Sequence, residues 1–236
     1  EAILAFAPEF SDIKNEILKL GPGRVFAGLA GSFGNLPYYG IADIPLYALL
    51  PQAGLDSFGY AYHAQSITTD VRLNFNDAEP EQYNLFNIRY VILHNSWTPP
   101  RFYALVKKFK NYSIFRVSTT GYFDLVQAPA IFYGDKQYFY PAQLAWLKSA
   151  MPKTGQYPII EMEGASAQTS GLPAFPLNRI DQPLLSQFSY DGDPVGKIIS
   201  ERIGYGEYVS NFSLDKEAYL LLKINFFPGW RATLDG

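Results

Sequence analysis

Apolar positions in this chain first recur with a helical period and later with a strand period, and the switch divides it in two. Over residues 10–20, Ile13, Ile17, Leu18 and Leu20 fall on one face. Ser11 is placed to cap the first turn and Gly21 ends the pattern, so the stretch predicts a helix. Pro22-Gly23 then turns the chain into a short buried strand at Arg24-Val25-Phe26-Ala27. The near-continuous apolar run over 84–93 predicts a strand of the doubly buried, parallel-sheet type. Residues 102–109 read as a second amphipathic helix, and 113–117 and 123–126 as two further strands. Helices alternating with strands in this order predict an α/β unit over residues 1–129.

Past Ala128-Pro129-Ala130 the signals change. Residues 141–151 predict a helix with Pro141 in its first turn. Residues 157–163, 196–202, 207–214 and 218–227 then read as strands separated by Gly-, Pro- and Asp-rich links, as in a sandwich. Alternation over 207–214 leaves one face of that strand in water. The expected fold class is therefore α+β: an N-terminal α/β unit followed by a helix-led C-terminal β-sandwich over 130–236. The last strand runs into Pro228-Gly229-Trp230, where Pro ends it, Gly permits a bend and Trp230 can fold back over the sandwich end. These residues form a structural signature. Asp235-Gly236 is a dipeptide that starts hairpin turns, so the sandwich is expected to be truncated there and the chain to be a piece of a larger polypeptide.

Between Val25 and Thr69 only Asp43 and Asp56 carry charge, and the tract has no clean period. Such tracts are functional loops or are covered by a partner, which makes Tyr38, Tyr39 and Tyr47 candidates for a docking face. Composition points the same way. Hydrophobic residues make up 48% and charged residues 17%, a share below the roughly 25% of an average protein, so the surface is under-charged. A net charge of −3 excludes the basic footprint that nucleic acid demands, and Lys107-Lys108-Phe109-Lys110, the one dense basic run, reads as a solvated helix end. With no cysteine, disulfides and thiol chemistry are excluded.

The candidate chemistry is sparse. His63 and His94 stand apart from any ligand-spaced carboxylates, and Asp191-Gly192-Asp193 reads as a turn in place of a calcium loop. Glu161 and Glu163 share a strand face, and nothing else supports hydrolysis. The place to look is His94-Asn95-Ser96-Trp97, which follows the end of a buried strand, where open α/β sheets present ligands. There His94 and Asn95 can bond hydroxyls, and Trp97 either stacks on a sugar face or lids the core. No catalytic residue, metal site or cofactor is expected.

The run Phe226-Phe227-Pro228-Gly229-Trp230-Arg231-Ala232-Thr233-Leu234-Asp235-Gly236 resembles the aromatic-aromatic-Pro-Gly-Trp-x-Ala-x-x-Asp-Gly segment of YfhO-type bacterial membrane proteins, relatives of the multi-spanning GT-C glycosyltransferases. Tyr83-Asn84-Leu85-Phe86-Asn87-Ile88-Arg89-Tyr90-Val91-Ile92-Leu93 is similar to a strand of the same families, in the expected order. The resemblance implies an extracytoplasmic domain of a polytopic membrane protein, with the catalytic carboxylate in a loop between transmembrane helices outside this sequence. The function it implies is non-catalytic, the domain helping to position a lipid-linked sugar or acceptor glycan. Its partner would be the transmembrane part of the same polypeptide. The alternative is a free-standing carbohydrate-binding or glycan-processing protein.

Overall fold

The computed structural model describes residues 2–41, 43–59, 72, 74–162, 171–188, 194–204, 206–225 and 229–235. His63, Glu163, Asp191, Gly192, Asp193, Phe226, Phe227 and Pro228 lie outside the described residues. The fold is α+β, built around a mixed five-stranded sheet and several smaller sheets. Strand β1 (Arg24–Phe26) pairs in parallel with β4 (Ser57–Phe58) and with β5 (Ile88–His94). The other side of β5 pairs antiparallel with β7 (Tyr112–Arg116), and β7 with β6 (Ala104–Lys108), so the sheet order is β4-β1-β5-β7-β6.

Strand periodicity explains why β5 is apolar over residues 90–93, between Arg89 and His94. Tyr90 and Ile92 point to one face, where Ile13 and Ile17 of helix α1 (Ala2–Lys19) and Leu46 and Leu50 of α3 (Leu46–Gln52) cover them. Val91 and Leu93 point to the other, beneath Tyr39 of α2 (Leu36–Tyr39) and Tyr83 of α4 (Pro80–Leu85). A strand covered on both faces leaves no position for a polar side chain. The charge-poor tract gains a packing explanation from the same layers, since Tyr39, Ile41, Leu46, Leu50 and Phe58 within it are core. The connection from β1 to β4 also forms a short hairpin of β2 (Gly40–Ile41) and β3 (Ile44–Pro45).

The helix expected over 102–109 is an edge strand instead. All five residues of β6 are exposed, so no helical face is rewarded by burial, while β7 offers a hydrogen-bonding partner across a tight turn in which the Phe109 amide donates to the Tyr112 carbonyl at 2.7 Å. The lysines sit where charge protects an open sheet edge. Lys107 reaches Glu16 of α1 at 2.7 Å. Helix α1 is longer than expected, and Ser11 lies inside it, not at its cap.

A second core follows. Strands β9 (Ile131–Gly134), β10 (Ile159–Met162) and β11 (Ala174–Pro176) form a parallel sheet with β9 in the middle. Helix α5 (Phe139–Leu147) and the short α6 (Gln182–Leu185) close over it, burying Phe132, Ala142, Met151, Leu177 and Leu185.

The chain then returns to the first unit. The hairpin β12 (Gly196–Gly204)/β13 (Glu207–Leu214) precedes β14 (Tyr219–Leu222), which pairs antiparallel with β8 (Phe123–Val126). These two antiparallel pairs supply the β character expected of the C-terminal part without by themselves establishing a sandwich. Polar contacts fasten them. The Lys223 ammonium is 2.6 Å from Asp124 and donates to the Asn84 carbonyl at 2.9 Å and to the Thr120 hydroxyl at 2.7 Å. Burial pulls the Lys223 ammonium below the ordinary lysine range, and Asp124 opposes that shift. Glu201 accepts from the backbone amides of Phe123 at 2.7 Å and Tyr122 at 3.1 Å. Gly121, at φ +111°, lets that carboxylate close in, where any Cβ would overlap it.

Candidate functional site

The loop singled out in the sequence does follow β5, but its side chains are bound to the protein itself. His94 stacks edge-on against Tyr112 with ring centroids 5.3 Å apart, and its Nδ1 lies 2.7 Å from the Ser96 hydroxyl. The Asn95 amide donates to the carbonyls of Phe109 at 3.0 Å and Lys110 at 3.1 Å, and its oxygen accepts from Ser113 at 2.6 Å. Asn95 thereby staples the β6–β7 turn to the end of β5, with both donors of its amide engaged and its oxygen accepting once. Trp97 meets Tyr38 edge to face at 4.3 Å and packs on the core beneath α2. These are the contacts of a core lid. The structure brings His94, Asn95 and Trp97 together at the end of β5, each held by contacts within the protein.

Of the C-terminal signature, Gly229 and Trp230 are described. Trp230 is 41% exposed and stands edge-on to Tyr208 of β13 at 5.7 Å, covering part of that strand. Tyr208 in turn packs on Tyr122, whose hydroxyl donates to Asp56. Asp56 also faces the Arg24 guanidinium at 3.5 Å, and Arg24 lies over the Tyr122 ring. Burial, with Asp56 adding to it, drives the Tyr122 hydroxyl above its ordinary range. The cluster is a structural tie between the first unit and the returning strands.

A concave feature among the described residues lies elsewhere, in the second core. A cavity of about 190 Å3 opens between α5 and the β9/β10 sheet, lined by Phe132, Phe139, Gln143, Trp146, Tyr157 and Ile160 among others. Phe132 and Ile160 are register partners, so strand alternation aims both at the helix. The Trp146 indole donates to the Gln156 carbonyl at 3.1 Å and tilts against Tyr157 at 5.2 Å, which fixes the cavity wall. The carbonyl oxygens of the Gln143 and Gln156 side chains are buried and have no hydrogen-bond partner. Burial raises the Tyr157 hydroxyl well above the ordinary tyrosine range, with Asp124 contributing, so it stays protonated at neutral pH. Ile160 is 38% exposed, so the cavity reaches the surface.

Sequence reasoning missed this site because β9 and β11 were not legible as strands. One signal was present. Residues 139–147 are apolar and aromatic around the whole helix, with Gln143 the one strongly polar side chain, a pattern that sets the helix between two apolar surroundings. Among the described residues no group of three or more His, Cys, Asp or Glu could hold a metal ion, and no helix is long and apolar enough to cross a membrane. No family model, no curated protein and no solved structure matches the chain.

Proposed function

We propose that this chain is a non-catalytic, extracytoplasmic docking and positioning domain of a multi-spanning membrane protein of the glycosyltransferase-like kind, holding a lipid-linked sugar or acceptor glycan near the membrane part. The observation that supports this reading best is the surface of the second core. Tyr133, Tyr138, Tyr140, Ile160 and Met162 are each between 36% and 39% exposed there, on β9, β10 and the start of α5. Strand alternation puts Ile160 and Met162 on one face of the sheet and Tyr133 on the other, so apolar side chains are offered on both sides for another apolar surface to cover. The under-charged composition agrees, and so does the resemblance at Pro228-Gly229-Trp230.

Membrane fractionation of the intact gene product, followed by alkaline extraction, tests the reading. Retention in the pellet is the expected result. Release into the soluble fraction overturns it and moves the weight to the second reading, a free-standing carbohydrate-binding protein, which the partly exposed rings of Tyr133, Tyr138 and Tyr140 favour. That second reading requires saturable quenching of tryptophan fluorescence by an oligosaccharide.

A further inference from the structure

We propose that the cavity under α5 binds a small neutral molecule made of one apolar ring bearing a carbonyl group, of the aryl ketone class. This goes beyond the docking role and stands without it.

Size sets the first limit. A cavity of about 190 Å3 is slightly larger than an engineered apolar cavity of roughly 150 Å3 that admits benzene, and smaller than the roughly 300 Å3 at which drug-sized pockets begin. One ring with a short side group fits. The walls set the second limit. Phe132, Phe139, Trp146 and Tyr157 offer ring faces and edges suited to an aromatic guest, and no charged side chain lines the space. An ion would give up its hydration and meet no counter-charge, so the guest is neutral.

Polar capacity sets the third limit. The Trp146 N–H is already spent on the Gln156 carbonyl. The Gln143 Oε1 is sealed within the protein and offers nothing to a guest. What remains on the lining side chains is the Gln143 amide nitrogen, with two N–H groups, and the Tyr157 hydroxyl, and among the described residues neither is hydrogen-bonded to the protein. Burial keeps that hydroxyl protonated at neutral pH, so it donates as the amide does. The wall thus presents donors from two side chains, and the Tyr157 oxygen is the one side-chain acceptor beside them. A carbonyl oxygen, with two lone pairs and no proton of its own, can take an O–H and an N–H together. A pyranose would bring several hydroxyl donors to this one acceptor and leave most of them desolvated and unpaired. The chemistry that matches is an apolar ring with one carbonyl. Glycans, where they bind, bind outside the cavity.

The test is a calorimetric titration of the protein with acetophenone, with α-methylstyrene, its isostere carrying a CH2 group in place of the oxygen, and with glucose. Saturable binding of acetophenone is expected, and α-methylstyrene should compete with it. Tyr157→Phe removes only the hydroxyl and should weaken acetophenone about five-fold, the worth of one net hydrogen bond, while α-methylstyrene stays within about two-fold. Tyr157→Phe/Gln143→Leu should weaken acetophenone further, with α-methylstyrene still bound. Ala142→Phe fills the cavity from α5 and should abolish binding of both. Should that variant fail to fold, Ile160→Trp blocks the mouth from the partly exposed strand position and should do the same. Absence of saturable acetophenone binding overturns the proposal. So does glucose displacing acetophenone, or a ratio of the two affinities that the double variant leaves unchanged.

Discussion

The five-stranded sheet unit and the three-stranded unit after it draw on the same aromatic-rich composition and pack it to different ends. In the first, helices cover both faces of β5, and tyrosine hydroxyls find partners inside: Tyr83 with Tyr103, Tyr90 with the Leu20 carbonyl, Tyr112 with the Gly40 carbonyl. In the second, α5 and α6 close over the Phe132 side of a short sheet. Among the described residues, only Phe132 of the twelve largest fully buried side chains lies there. Among the same residues, three of the five buried side-chain atoms without a partner belong to it, on Gln143, Gln156 and Glu161. Aromatic content alone does not separate core from binding surface. The number of faces that neighbouring elements cover does, because a ring sealed on all sides contributes to stability and a ring left beside a void is available to a guest.

The contrast breaks most directly at the clamp that returns the C-terminal strands to the first unit. Lys223→Met leaves the Asp124 carboxylate, with its side chain 18% exposed, without its cation. A loss of about 3–5 kcal/mol in urea denaturation is expected. The double variant Lys223→Met/Asp124→Leu, which removes the stranded charge, should recover much of it. A loss below about 1 kcal/mol in the single variant would show that Asp124 regains water, as an exposed pair would allow, and that the strands are not anchored there.

A paired truncation comes next. Ile92→Ala in the middle of β5, where the side chain is fully buried, should cost about 2–5 kcal/mol. Ile160→Ala, beside an existing void and partly in water, should cost less than about 1 kcal/mol. Equal costs would mean that the second unit packs as tightly as the first.

How much of this was legible in the sequence follows the same division. Of the strand expected over 84–93, residues 88–93 were readable because burial on both faces favours an apolar run, while 84 and 85 close α4 instead. The helix over 10–20 was readable because one buried face imposes its period. The edge strand β6 was misread because none of its residues is buried: Leu105 and Val106 stand in water, and only the pairing with β7 decides their conformation. Strands β9 and β11 escaped because they are three or four residues long, too short for alternation to register, and they pair in parallel with partners distant in sequence. The contacts of the Asn95 amide with the carbonyls of Phe109 and Lys110, fourteen and fifteen residues away, leave no local pattern to read. The cavity depends on all these long-range pairings at once, and a local pattern carries none of them.

Alkaline titration gives the smallest and most selective effect. Burial raises the hydroxyls of Tyr39, Tyr83, Tyr103, Tyr112 and Tyr122 in the first unit, and in the second core that of Tyr157. A tyrosine whose folded pKa lies above its unfolded value near 10 contributes stability that is complete below that value and is lost as pH rises through the folded pKa. For Tyr112, pushed up to about 12, the window runs from pH 10 to about 12. By pH 11 this one group should remove roughly 1 kcal/mol. With more such groups, the densely packed first unit should yield to alkali before the looser second one, the reverse of what packing alone suggests. Trp97 reports on the first and Trp146 on the second, so two variants that each retain one of these tryptophans, the others replaced by Phe, separate the transitions. The Trp97 emission should shift at the lower pH. A Trp146 transition that coincides with it would show that the two cores unfold as one cooperative body, and one that comes first would show that packing, not the number of raised tyrosines, sets the order.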